Sequence, residues 1–95
     1  MDRIPNPPPG EILREEFLFP HGITAYRLAK ETRIPATRIA EILHGRRKIT
    51  VDTALRLGKY FGNSPDFWLG IQNEHDLREE RERLAEELKS IGSVA

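Results

Sequence analysis

Apolar residues recur along this chain at intervals of three and four, the period of an α-helix, and no segment alternates with the period of a strand. Residues 1–8 stand outside the pattern. Pro5, Pro7 and Pro8 with Asn6 remove backbone donors and fix φ, which predicts an extended arm. Pro9 suits the first position of a helix, with Glu11 in its first turn and Ile12, Leu13 and Phe17 on one face. That helix is expected to end near Leu18, before Pro20 and Gly22. Thr24 reads as the N-cap of a second helix, with Leu28 and Ala29 inward and Pro35 limiting its far side. A third helix is predicted from Ala36 to Leu43, burying Ile39, Ile42 and Leu43, with Gly45 as its stop. Thr50 caps a fourth, in which Val51, Ala54, Leu55 and Phe61 are spaced to face the core, Gly58 allows close packing and Gly62 closes the helix. Ser64-Pro65-Asp66 combines a cap, a pre-set φ and a carboxylate on the helix dipole, and starts a fifth helix carrying Phe67, Trp68, Leu69 and Ile71. From Glu74 the sequence turns charged. Only Leu77, Leu84, Leu88 and Ile91 form a narrow apolar stripe, with Glu74–Arg78 and Glu79–Arg83 spaced for i,i+4 pairing, so helix is expected to about Leu88.

Length and charge sharpen this picture. Ninety-five residues make one small domain. The net charge is zero, from 15 Lys+Arg against 15 Asp+Glu, but it is unevenly spread. Residues 1–63 carry +4 and residues 64–95 carry −4, and the 24–62 segment alone carries +6. A basic middle suits a polyanion, whereas the acidic tail would be repelled by one. The chain has no Cys, which excludes disulfides, thiolate metal sites and Cys nucleophiles. No apolar run approaches the ~20 residues that span a bilayer, and the start lacks the apolar stretch of a signal peptide. A cytoplasmic protein without membrane partners is expected.

Candidate chemistry concentrates between Thr24 and Thr50. Two short helices meet at a tight turn around Arg33-Ile34-Pro35, with small Ala29 where they approach and Ile34 at the corner. This is the spacing of a helix-turn-helix, whose second helix enters the major groove N-terminus first. Ala36, Thr37, Arg38 and Glu41 are left facing out, either to reach base edges or as an ordinary solvated face. Glu41 could accept from cytosine N4 or serve as a neighbour's salt-bridge partner. Arg46, Arg47 and Lys48 follow directly, placed to hold phosphates or merely to solubilise a loop.

At these residues the chain resembles the Cro/C1-type (XRE) helix-turn-helix and, more narrowly, is similar to the HigA (VapI-like) antitoxins. The resemblance rests on Pro9-Gly10-Glu11-Ile12-Leu13, on Pro35 to Arg47, on Thr53-Ala54-Leu55-Arg56-Leu57, and on Ser64-Pro65-Asp66-Phe67-Trp68-Leu69 with Gln72 and Asp76-Leu77, and covers residues 7–78. It implies an all-α fold: a five-helix, lambda-repressor-like helix-turn-helix domain over residues 9–73, with the arm before it and a charged helical tail over residues 74–95. It implies a homodimer that binds double-stranded operator DNA, represses its own operon and neutralises an RNA-cleaving HigB-type toxin. Two positions depart from the family pattern. Arg33 stands where the wider superfamily has Gly, so the turn carries a left-handed cost or changes type, and its guanidinium could reach phosphate. Ala25 stands where Gln is common, leaving that phosphate contact to Thr24 or Tyr26.

Phe67 and Trp68 are expected in the core or a dimer interface, and the Leu77/Leu84/Leu88 stripe could receive a second subunit or the toxin. His21, His44 and His75 share no ligand spacing, so no metal or cofactor is expected, and His44 suits the end of the third helix. No phosphate loop, serine elbow or acid/base pair marks an enzyme. The alternatives are a stand-alone XRE-type repressor without a toxin and a protein-interaction adaptor.

Overall fold

The computed structural model describes residues 5–94, all helix and connecting turns without a strand among them. The first four residues of the predicted arm lie outside the described residues. Helix α1 (Pro9–Ile12), a π-wound stretch (Leu13–Leu18) and α2 (Phe19–His21) follow one another without a break. The helix thus runs past Leu18, where the sequence pattern ends it. Pro20 lies in the first turn of α2, where a missing N–H costs little, and Gly22 at φ 62° closes the run. The widened stretch brings Leu13, Phe17 and Leu18 together on the core side, with Leu13 and Leu18 buried.

The remaining boundaries follow the capping chemistry. Helix α3 (Ala25–Thr32) begins where Thr24 Oγ1 accepts from Arg27 N–H at 3.0 Å. Helix α4 (Ala36–Leu43) follows Pro35 and ends at His44, whose Nδ1 lies 2.7 Å from the Ala40 carbonyl. Helix α5 (Val51–Phe61) is capped by Thr50, and α6 (Pro65–Arg83) by Ser64 Oγ, which accepts from Asp66 N–H. A turn at Leu84 separates α6 from α7 (Ala85–Lys89), so the tail is helical through Leu88 with one interruption. Helix α6 crosses residues 73 and 74 unbroken.

Leu13, Leu28, Ile34, Ile39, Ile42, Ile49, Ala54, Leu57 and Trp68 form the core. Trp68 is 0% exposed and stacks against Phe17 at 4.7 Å, and its indole N–H donates to Asn63 Oδ1 at 2.9 Å. It therefore belongs to the core and has no surface to offer a partner. Gly10 is required where α1 meets α4, because a Cβ there would stand 1.8 Å from the Ile42 carbonyl oxygen. Gly58 meets Asn63 O and Pro65 in the loop that follows α5, rather than a separate helix. Val51 and Leu55 do not face the core as their spacing predicts. They are 61% and 55% exposed, because Thr53, Ala54, Leu57 and Gly58 take the inward side of α5.

The radius of gyration is 15.9 Å, against about 12–13 Å for a compact chain of this length. The excess comes from α6 and α7 projecting beyond the core. Asn6 Nδ2 donates to His75 O and Glu79 Oε1, and Arg78 donates to Pro5 O, so the described part of the arm lies along that projection.

Candidate nucleic-acid interface

The α3–α4 pair meets across a turn in which Arg33 holds φ 60°, the only non-Gly residue with positive φ among the described residues. An L side chain in that region costs about 1–2 kcal/mol. Two features offset it. Ile34, at the corner, is buried, and its N–H donates to Ala29 O. From α5, Arg56 donates to both Thr32 O and Arg33 O at 3.0 and 3.3 Å, taking up carbonyls left free at the end of α3.

Around this frame the predicted site residues gather on exposed structure. Thr24 and Tyr26 stand at the start of α3, with Tyr26 73% exposed. Ala36 and Thr37 open α4 in full solvent, and Arg33, Arg46, Arg47 and Lys48 are exposed in the loops at its two ends. Arg38 and Glu41 are half-buried, for a reason the sequence does not reveal: both are tied to side chains of their own fold. Arg38 lies 3.5 Å from Asp52 at the start of α5. Glu41 takes Arg47 at 3.2 Å, realising the salt-bridge alternative in this structure. Lys48 reaches Asp76 on α6 at 3.1 Å. Arg33 and Arg46 have no ion pair among the described residues.

Three of the basic groups along α4 therefore rest on carboxylates of the same chain. Such pairs hold side chains in position, and because each is partly exposed a phosphate can compete for the cation. A second polar cluster sits behind α3. Tyr60 O–H donates to Glu31 Oε1, and Arg27 donates to the same oxygen at 3.0 Å. The Tyr60 hydroxyl and Arg27 hold the Glu31 carboxyl below the usual range, and the carboxylate in turn raises Tyr60 above its ordinary value.

Comparison with known proteins accounts for this arrangement. The family model described as Helix-turn-helix matches residues 13–68, more than half of the chain. Antitoxin HigA-1 of Vibrio cholerae is 38% identical over 82 residues, covering 86% of this chain and 77% of that protein. The chain belongs to the helix-turn-helix family of HigA antitoxins. Virulence-associated protein I of Dichelobacter nodosus is 51% identical over 70 residues, 74% of this chain, and the chain spans 65% of that relative's length. Among solved structures, Pseudomonas aeruginosa antitoxin HigA with the higBA promoter superposes at a TM-score of 0.90 with 33% identity, covering 96% of this chain and 100% of that one.

In this HigA-family chain the residues that sequence reasoning missed are those that support the others. Asp52 and Arg56 on α5 bridge Arg38 to the α3 turn. Gln72 is buried on α6, accepts from Ile49 N–H at 2.8 Å and donates to Asp76 Oδ1, which fixes the loop carrying Arg46 to Lys48. The signal for Gln72 was its position one turn after Trp68, a polar residue on an inward face. No sequence signal pairs Asp52 with Arg38. Among the described residues no three His, Asp or Glu side chains cluster to hold a metal, and no helix is long and apolar enough to cross a membrane.

Proposed function

We propose that this chain is a sequence-specific DNA-binding antitoxin that acts in the cytoplasm as a dimer, represses its own operon and neutralises a HigB-type toxin. It works by binding and carries out no chemistry of its own. The observation that supports this best is the exposed start of α4, flanked at both ends by exposed arginines and a lysine, on a fold that superposes on a HigA bound to promoter DNA.

In this reading Thr37 and Arg38 reach base edges from the N-terminal half of α4, with Ala36 leaving room for close approach. Asp52 aims Arg38. Glu41 meets a base only after releasing Arg47, and Arg47 then passes to phosphate. Arg46, with no carboxylate of its own, contacts phosphate first, with Lys48, Arg33, Thr24 and Tyr26 adding contacts along the backbone. The domain over residues 9–73 carries these contacts. Phe67 and the Leu77/Leu84/Leu88 stripe of the tail (residues 74–95) remain for a protein partner.

The test is a titration of the duplex just upstream of the chain's own gene, beside a scrambled duplex, at two salt concentrations. Tight, salt-steep binding that prefers the upstream DNA is expected. Arg38→Ala should cost about 1–3 kcal/mol on the operator and little on scrambled DNA. Equal loss on both would make Arg38 a phosphate contact, and weak binding insensitive to salt would overturn the reading.

A further inference from the structure

The outward side of α5 combines features that a solvated helix face has no need of. Val51 and Leu55 are the branched apolar residues that the core leaves out. Positions 51, 55 and 59 succeed one another at four-residue steps, and 52 and 59 are two turns apart, so Val51, Asp52, Leu55 and Lys59 share one strip. Beside it opens a cleft of about 580 Å³ bounded by Glu31, Thr32, Arg56 and Tyr60. A single exposed leucine calls for no explanation, but an apolar pair between opposite charges and beside a cleft does.

We propose that this strip is the homodimer interface, with α5 crossing its copy antiparallel about a two-fold axis at Leu55. The proposal deepens the dimeric DNA-binding reading, and its test uses no DNA. Three observations select a second copy of the chain as the occupant. The first is charge. A two-fold interface must be complementary to itself. Leu55 is midway between Val51 and Lys59 in sequence, so an axis there sets Asp52 against the partner's Lys59 at both ends of the crossing. Lys59 has no ion pair of its own among the described residues, and the Asp52 side chain stays 57% exposed while holding Arg56. A parallel crossing would oppose like charges. The second observation is shape: the cleft beside Leu55 offers a seat for the partner's Leu55. The third is spacing. Arg38 of α4 touches Asp52, one turn from Leu55. Each α4 then stands roughly 15 Å from the axis, and the two copies lie about 30 Å apart, close to the ~34 Å between successive major grooves.

Sedimentation equilibrium on the full chain, without DNA, decides the matter. Wild type should be dimeric. Leu55→Glu should weaken self-association about 100-fold, as loss of a central interface residue does, while helix content and the denaturation midpoint hold because Leu55 is exposed in the monomer. Lys59→Glu should weaken it about tenfold, and less at high salt, where the repulsion is screened. The chain has no Cys, so Leu55→Cys supplies one thiol per copy. On the axis that thiol meets its own symmetry mate within disulfide reach, and mild oxidation should give a covalent dimer, whereas Leu77→Cys should not cross-link. A monomeric wild type, a Leu55→Glu protein that still dimerises, or a dimer broken instead by Leu77→Glu would each overturn the proposal. Any of these leaves DNA binding to be judged on its own titration. A dimer through α5 that ignores the upstream duplex would overturn only the DNA reading.

Discussion

The two halves of α6 are one continuous helix held by different physics. In the first, Trp68 and Gln72 are buried, and their polar atoms are matched to Asn63, Ile49 and Asp76, all fixed by the fold. In the second, and on through α7, every residue from Glu79 to Lys89 is exposed apart from half-buried Leu84. Bidentate Arg83–Glu80 and Lys89–Glu86 join neighbours one turn apart. The first half has a place because other elements surround it. The second has a direction, inherited from the first, and is straight because its residues favour helix and pair locally. A contact adds to the fold when it spans elements, whatever its chemical type.

The largest effect expected from this contrast is on stability. Trp68→Ala empties the centre of the core and should cost about 3–5 kcal/mol in urea denaturation. Leu88→Ala, on an exposed face, should cost less than about 0.5 kcal/mol. A costly Leu88→Ala would break the comparison and mean that the tail is packed against something in solution.

Two arginines sharpen it at a smaller scale. Arg83 and Arg56 each hold a carboxylate one turn away on their own helix. Arg56 alone also caps the α3 turn through Thr32 O and Arg33 O. Arg56→Ala should therefore cost about 1–2 kcal/mol from carbonyls left unpaired, and should loosen Arg38 through Asp52, lowering discrimination between operator and scrambled DNA. Arg83→Ala should leave the denaturation midpoint unmoved.

The same distinction explains what could be read from sequence. Caps act over three residues, so Thr24, Thr50 and Ser64 marked their helices, and Ala36–Leu43 emerged with the boundaries the pattern gave it. Arg33 was recognisable as a non-Gly residue in a turn that wants Gly, and it does adopt the left-handed region. Contacts across elements left no trace. Periodicity placed Val51 and Leu55 on an apolar face of α5 but could not say that Thr53 and Gly58 would turn the helix the other way. Nor could it say that Arg38, Glu41 and Lys48 would find Asp52, Arg47 and Asp76, since 14, 6 and 28 residues separate the pairs. In the candidate interface the residues that stand exposed were legible, and those that orient them were not.

Arg33→Gly separates the two kinds of information at a single position. Relief of the left-handed conformation, less the entropy a glycine loses on folding, should stabilise the chain by about 0.5–1 kcal/mol. If the guanidinium contacts phosphate, the same change should weaken operator and scrambled DNA alike and reduce the salt slope by about one. A gain in stability with an unchanged slope would leave Arg33 as a strained turn residue without a role on DNA.

The smallest effect is a dependence on pH, and it distinguishes a carboxylate that bridges elements from one that does not. Glu31 and Glu80 both titrate below the usual carboxylate range, Glu31 chiefly through the Tyr60 hydroxyl and Glu80 chiefly through Arg83. A depressed folded value means that each contributes stability above the unfolded value and loses it as the pH falls through the folded one. Only Glu31 has a counterpart at the other end of the scale. Tyr60 is raised by that carboxylate, so its neutral phenol contributes below about pH 10 and the contribution is lost as the pH rises through its elevated value. The Glu31–Tyr60 link between α3 and α5 is thus intact between those limits and weakens beyond either. In a Tyr26→Phe background, where Tyr60 is the one remaining tyrosine, Glu31→Gln should bring the phenolate absorbance titration back toward the value of a free tyrosine and flatten the acid limb of the stability curve. Glu80→Gln should leave the Tyr60 titration where it was, because the Glu80–Arg83 pair closes within α6. An unshifted Tyr60 in Glu31→Gln would mean that the hydroxyl finds water instead, and that α3 and α5 are joined by Arg56 and the core alone.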